Sequence, residues 1–134
     1  MASRDLKNDI RILSAFDGAT IATDTTTAGN IIDTALFSSV TFVLALGAYT
    51  AGDATMLLEE SDDATFTVSN VVDAQFILND AAESLVDAAN AIQTLGYVGH
   101  KRYVRMSIVS DNGADFYASG QVILEHARNN PVTQ

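Results

Sequence analysis

No cysteine occurs among the 134 residues, so neither a disulfide framework nor a thiolate nucleophile or metal site can be built. Thiol use therefore says nothing about compartment. Tryptophan is also absent, which weighs against a sugar-cleaving cleft even though paired carboxylates are available in a chain with 17 acids. Basic residues are missing from the whole middle: none lies between Arg11 and Lys101, a span that holds twelve acids. With 7 Lys and Arg in all, the net charge is −10, and the two end segments are each close to neutral. Phosphates would be repelled over most of such a surface, which disfavours nucleic acid, and no nucleic-acid partner is expected. The acids suit a basic partner or the basic stripe of another copy. They equally suit simple solubility of a β-rich chain.

Charge of either sign is missing from Thr34 to Gly52, a run long enough to raise a membrane span. Ser38, Ser39, Thr41, Thr50 and Gly47 interrupt it and β-branched residues are frequent, so a buried strand with flanking turns is expected and no membrane partner. The charged N-terminus MASRDLKND lacks an apolar core and is not expected to be a signal peptide. Phosphate-cradling and nucleophile-elbow motifs are absent. Glu59-Glu60-Ser61-Asp62-Asp63 is contiguous rather than spaced as in a calcium loop, so a solvated turn is expected and no metal. His100 and His126, the only histidines, are expected at the surface rather than in catalysis. Neither an enzyme nor a cofactor is expected.

Apolar residues make up 48% of the chain, enough for a single folded domain over residues 1–134. A flexible arm is expected over 1–9 and a tail over 129–134. Ile10, Ile12 and Ala15 suggest a first strand, Asp17-Gly18 a turn, Ala19–Thr23 a brief strand and Asp24–Asn30 a loop. Val40–Leu46 reads as a central strand and Ala54–Ser61 as its hairpin partner, with a turn over Gly47–Asp53. Thr65–Ser69 reads as a further short strand. Asn79–Ala91 alone has helical character, with Asn79 or Asp80 as cap, although a loop is equally open. Ala91–Val98 and Arg102–Ser110 read as strands, Asp111-Asn112-Gly113 as a hairpin turn and Phe116–Glu125 as the last strand. Val104, Met106 and Ile108 are expected to face the core. The pattern predicts a mainly β fold, a single antiparallel β-sandwich or jelly-roll-like domain with at most one short helix.

The stretch Gly96–Ser110, GYVGHKRYVRMSIVS, concentrates basic and aromatic residues. Lys101, Arg102 and Arg105, with Tyr97 and Tyr103, form a candidate contact surface, to which Arg4 and Lys7 of the N-terminal arm are added. Two readings stand side by side. In one, these cations cover a turn and pair with acids of their own chain. In the other, they meet the acidic surface of a neighbour.

GYVGHKRYVR is similar to a G-Y-[IV]-G-x-K-R-Y-[LV]-R segment of a group of small proteins from tailed bacteriophages. Ser3–Ile10 resembles the group's S-R-D-L-K-N-D-I, and Leu57–Thr67 its L-x-E-S-D-D-x-x-T-F-T segment, with Ala64 where glycine is commoner. His126–Pro131 resembles its H-x-R-x-x-P tail, while Asn79–Ala91 is longer than its usual connection. The resemblance implies a virion structural protein encoded near the major capsid protein, and most specifically a capsid decoration, or cement, protein. It implies the major capsid protein as partner and a place on the capsid exterior after assembly in the bacterial cytoplasm. A homo-oligomer is expected, a trimer fitting the threefold positions of such lattices. The alternatives are a glycan- or host-surface-binding module, with a site around Tyr49, Tyr97 or Tyr117, and a tail or connector component.

Overall fold

The computed structural model describes residues 5–78, 85–129 and 132. Eight strands follow in order: β1 (Arg11–Ile21), β2 (Thr26–Asp33), β3 (Ser39–Ser61), β4 (Asn70–Val71), β5 (Ile77–Leu78), β6 (Leu85–Val86), β7 (Ile92–Tyr97) and β8 (Tyr103–Glu125). Among the described residues there is no α-helix. A single 3-10 turn, Ala74–Phe76, is capped by the Asp73 carboxylate, which accepts from the Gln75 N–H at 3.2 Å.

Two strands of 23 residues, β3 and β8, organise everything else. They pair antiparallel from Ser39↔Glu125 to Ser61↔Tyr103, with register shifts between Leu46 and Asp53. Those shifts divide each strand into halves with different neighbours. In the first layer the order is β1-β8-β3-β7-β5. In the second layer β2 borders the first half of β8, while β4 and β6 border the second half of β3. A mainly β, antiparallel sandwich results, as the sequence predicts.

The sequence explains why one core serves both layers. Along β3 the even positions are buried on both sides of the bend: Val40, Phe42, Leu44 and Leu46, then Ala54, Met56 and Leu58. β8 does the same with Val104, Met106 and Ile108 before its bend and Phe116, Ala118, Val122 and Leu124 after it. Period-two alternation kept in phase across a bulged segment keeps the same face turned inward, so the sheet encloses its own apolar side. Each large side chain sealed there contributes roughly 1.5–3 kcal/mol.

Several expected turns are bulges. Gly47–Asp53 does not reverse the chain: its two flanks never pair with each other, and both stay on β8 through Tyr49↔Phe116 and Ala51↔Asp115. The Tyr49 hydroxyl donates to the Gly52 carbonyl at 2.8 Å and holds the irregularity closed. Asp111-Asn112-Gly113 has the positive φ expected of Asn-Gly, 58° and 74°, but inside the continuous β8. The Asp24 carboxylate accepts there from the N–H groups of Gly113 at 3.0 Å and Ala114 at 2.8 Å. Asp17-Gly18 likewise sits in a bulge of β1 between Phe16 and Ala19.

Other expectations also need correcting. Part of the expected loop Asp24–Asn30 is strand, because β2 begins at Thr26. Gly29 lets β2 approach closely: a Cβ there would collide with the carbonyl oxygens of Ala15 and Met106. Thr65–Ser69 is a loop whose Phe66 adopts φ 56°. Of the helical reading, residues 79–84 lie outside the described residues, while Leu85–Val86 is strand and Ala88–Asn90 a bend and turn. In β1 the inward residues are Leu13, Ala15 and Phe16; Ile12 is half exposed because it alternates with Leu13 and Ala15, and the bulge after Ser14 lets Phe16 turn inward beside Ala15.

Candidate functional site

The connection Val98–Arg102 carries the chain from β7 in the first layer to β8 in the second, and it delivers the basic stripe to one end of the sandwich. Every cation of the stripe finds an acid in its own chain. Lys101 Nζ is paired with Asp62. Arg102 makes a fork to Asp33, Nε to Oδ1 at 3.0 Å and Nη2 to Oδ2 at 2.7 Å. Its guanidinium also lies 5.0 Å from the Tyr103 ring centroid. These pairs are well exposed, at 36% and 70% for Lys101 and Asp62 and 56% and 45% for Arg102 and Asp33. Each is therefore screened by solvent and adds little to stability.

Arg105 is different. Register places Glu59 directly across from it on β3, and Nε and Nη2 both donate to Glu59 Oε2 at 3.0 and 2.9 Å. Ser107, fully buried, donates its hydroxyl to the same oxygen at 2.7 Å. Phe66 folds from the 62–69 loop over the guanidinium, 4.6 Å from ring centroid to carbon, and closes the group from above. The side chains are 21% and 17% exposed, so this pair is shielded where the other two are not.

Tyr97, expected on the contact surface, is a core residue at 6% exposure. Its hydroxyl donates to Glu60 at 2.6 Å and accepts from the Lys101 N–H at 3.0 Å. Burial, followed by the Glu60 hydrogen bond, raises its pKa well above that of an ordinary phenol. Lys7 lies on an exposed turn of the arm, and Arg4 is outside the described residues.

The acidic run is used one carboxylate at a time. Glu59 serves Arg105, Glu60 serves Tyr97, Asp62 serves Lys101, and Asp63 accepts from Thr65 and Thr67. Among the described residues no three acids or histidines group as metal ligands. The Asp63 pKa is held low by the Thr65 N–H and hydroxyl, and the Asp33 pKa by its bonds to Arg102. In turn Asp62 raises the Lys101 pKa and Asp33 that of Arg102.

The His100 ring packs edge-on against Phe76, centroids 4.8 Å apart. His126 helps line an open cleft of about 340 Å³ with Leu6, Asp9, Ile10 and Glu125. A second cleft of about 290 Å³ at the same end is lined by Arg11, Asp33, Leu36, Phe37 and Arg102. Tyr49 and Tyr117 sit near the bulges while Tyr97 lies at the far end of the first layer, so the fold does not gather these tyrosines into one site. Among the described residues no helix is long and apolar enough to cross a membrane, and Thr34–Gly52 runs largely in β3. Sequence reasoning missed the Phe66 cover and the Asp24 anchor, both of which depend on long-range register.

No protein-family model and no curated protein matches the chain. Solved structures similar to it include two from viral sources. One is the SPBc2 prophage-derived protein YomS, 14% identical, covering 86% of this chain and 93% of that one at a TM-score of 0.46. The other is from infectious bursal disease virus, Gx strain, 15% identical over 91% of this chain at a TM-score of 0.47. This chain spans only 34% of the latter protein's length.

Proposed function

We propose that this chain is a non-enzymatic structural protein of a tailed-phage virion, specifically a decoration protein that binds the outside of the head in many copies. The observation that carries the reading is the resemblance of GYVGHKRYVR, and of segments near both ends of the chain, to small head-module proteins of such phages. The use of polar groups supports it: the stripe cations and the acidic run are engaged with one another, as in a scaffold. The partner is the major capsid protein. Each copy need add only a modest free energy, because occupancy of many sites sums over the lattice.

Two experiments test this. Mass spectrometry of purified virions should find the chain in mature heads, and heads lacking it should release DNA at lower temperature. Absence from heads, or unchanged head stability without it, refutes the assignment, and labelling confined to a single vertex or the tail moves it to a connector component. Lys101→Glu with Arg102→Glu should leave the chain folded, since both pairs are exposed, yet weaken binding to bare heads. An unchanged binding curve removes these two residues from the contact.

A further inference from the structure

Among the described residues, the outward face of the first layer carries charge only at its rim. Its central row runs Ile12, Ile123, Thr41, Gly96 and Leu78 across β1, β8, β3, β7 and β5, as the pairings Ile12↔Ile123, Thr41↔Ile123, Thr41↔Gly96 and Leu78↔Gly96 fix. The next row is Ser14, Gln121, Val43 and Thr94. Ile92, opposite Ala45, and Tyr117, opposite Thr20, extend the face toward the bulges. Large apolar groups stand open on it: Ile92 at 67% exposure, Leu78 at 57%, Ile12 at 50% and Tyr117 at 43%.

Among the described residues charge is met only at the rim, where exposed Asp115, opposite Ala51 and in line with Tyr117, bounds the bulge end. Glu125 closes one end of β8, and the Asp17 carboxylate is held at the β1 edge by the Ser14 hydroxyl at 2.6 Å and the Asn30 amide at 3.0 Å. The second layer's outward face contrasts with this. It carries Asp33, Glu59 and Arg105, and the Phe66 loop covers part of it. Depletion of charge, more than bulk hydrophobicity, is what marks the core of a protein interface.

We infer that this uncharged face is where copies of this chain pack against one another, forming a closed homo-oligomer with the face turned inward. The occupant follows from charge. Two copies of a −10 chain repel wherever their carboxylates oppose, and this face lets them approach with none opposed. A different partner would be selected better through the charged surfaces, where complementarity confers specificity. The size suits a small interface: β1, β8, β3 and β7, about 4.8 Å apart and about six residues long on this face, with Leu78 of the two-residue β5 at the edge, give a plane of ~400 Å², about half the ~800 Å² each partner gives to a standard interface. This deepens the homo-oligomer part of the proposed function and needs no capsid contact.

The test uses the purified full chain in analytical ultracentrifugation, with no heads present. The parent should sediment at a multiple of the monomer mass. The variant Ile12→Lys, Leu78→Lys, Ile92→Lys should sediment as a monomer with an unchanged β circular dichroism spectrum, because all three side chains are already exposed. Val68→Glu, a new charge on the 71%-exposed loop residue, should leave the oligomer intact. A monomeric parent at high concentration overturns the inference, and so does an oligomer that survives the three lysines. If the parent is monomeric but the lysine variant no longer binds heads, the face belongs to the capsid lattice and the inference is likewise overturned. Failure of head binding alone, with the oligomer intact, counts against the decoration reading only.

Discussion

Glu59→Ala is the substitution that most sharply separates a shielded ion pair from a decorative one. It removes the acceptor of two guanidinium bonds, at 3.0 and 2.9 Å, and of the buried Ser107 hydroxyl at 2.7 Å. Arg105 is then left charged beneath the Phe66 ring with 21% exposure and no opposite acid in register. Breaking a buried pair by deleting one partner costs about 3–5 kcal/mol, and partial exposure here places the expectation near the lower end, at about 3 kcal/mol. For a domain of this size that lowers the melting temperature by about 10 °C. Glu59→Gln keeps the shape and the Ser107 contact but weakens the charge-assisted bonds, so about 1–2 kcal/mol is expected.

The double variant Glu59→Leu, Arg105→Met decides the mechanism. Methionine can fill the space under Phe66, and replacing a whole buried pair with apolar groups is often neutral or stabilising. Its stability should return to within about 1 kcal/mol of the parent, save for the orphaned Ser107 hydroxyl. Chemical denaturation of all four proteins, at low and high salt, measures this. A Glu59→Ala chain within about 0.5 kcal/mol of the parent would refute the reasoning, since only a solvated pair behaves so.

Three further outcomes are expected. Asp24 has its pKa lowered by the Ala114 and then the Gly113 N–H groups, so the folded chain binds fewer protons than the unfolded one just below the ordinary value of 3.8; its contribution is present above that pH and is lost as pH falls through the folded value. Urea midpoints across the acid range should therefore fall less steeply for Asp24→Asn than for the parent. Gly29→Ala drives a methyl into two backbone carbonyls and should cost about 1–3 kcal/mol or more by equilibrium unfolding, since backbone cannot step aside as a side chain can. Leu124→Ala, fully buried, should cost about 2–5 kcal/mol, whereas Ile12→Ala on the same layer, 50% exposed, should stay within about 0.5 kcal/mol; equal costs would mean that Ile12 rather than Leu13 faces the core.

The inward set of β8 was legible because alternation is local: Val104, Met106 and Ile108 need only their own neighbours to declare a face. The bends of β3 and β8 were not legible as bends. Asn112-Gly113 and Gly52 supply positive φ, and that conformation serves a hairpin turn and a bulge equally well. What decides is whether the flanks find each other or a third strand, and Val40–Leu46 and Ala54–Ser61 both found β8. The site was half legible for the same reason. That Arg105 would meet some acid followed from charge count, but the choice of Glu59 needed a pairing 46 residues distant. Tyr97 looked like a surface aromatic among cations, yet its strand position, opposite Val40, turned the ring inward and left only the hydroxyl to reach Glu60.

The two outward faces are the same side of one pair of strands, turned to opposite sides of the sandwich by the bends, and this has a physical consequence for assembly. The first half of β3 and second half of β8 present Thr41, Val43 and Ile123; the other halves present Glu59 and Arg105. Each bend is tied by hydrogen bonds: Tyr49 to Gly52 within β3, and Asp24, from the segment between β1 and β2, to Gly113 and Ala114 of β8. A contact made on the uncharged face therefore fixes the orientation of the charged end without a conformational step. Ordering a flexible joint would otherwise subtract from every contact made. Under the proposed lattice role, that rigidity would let a small free energy per copy accumulate, and loosening the Asp24 or Tyr49 anchor would weaken assembly without touching a surface contact.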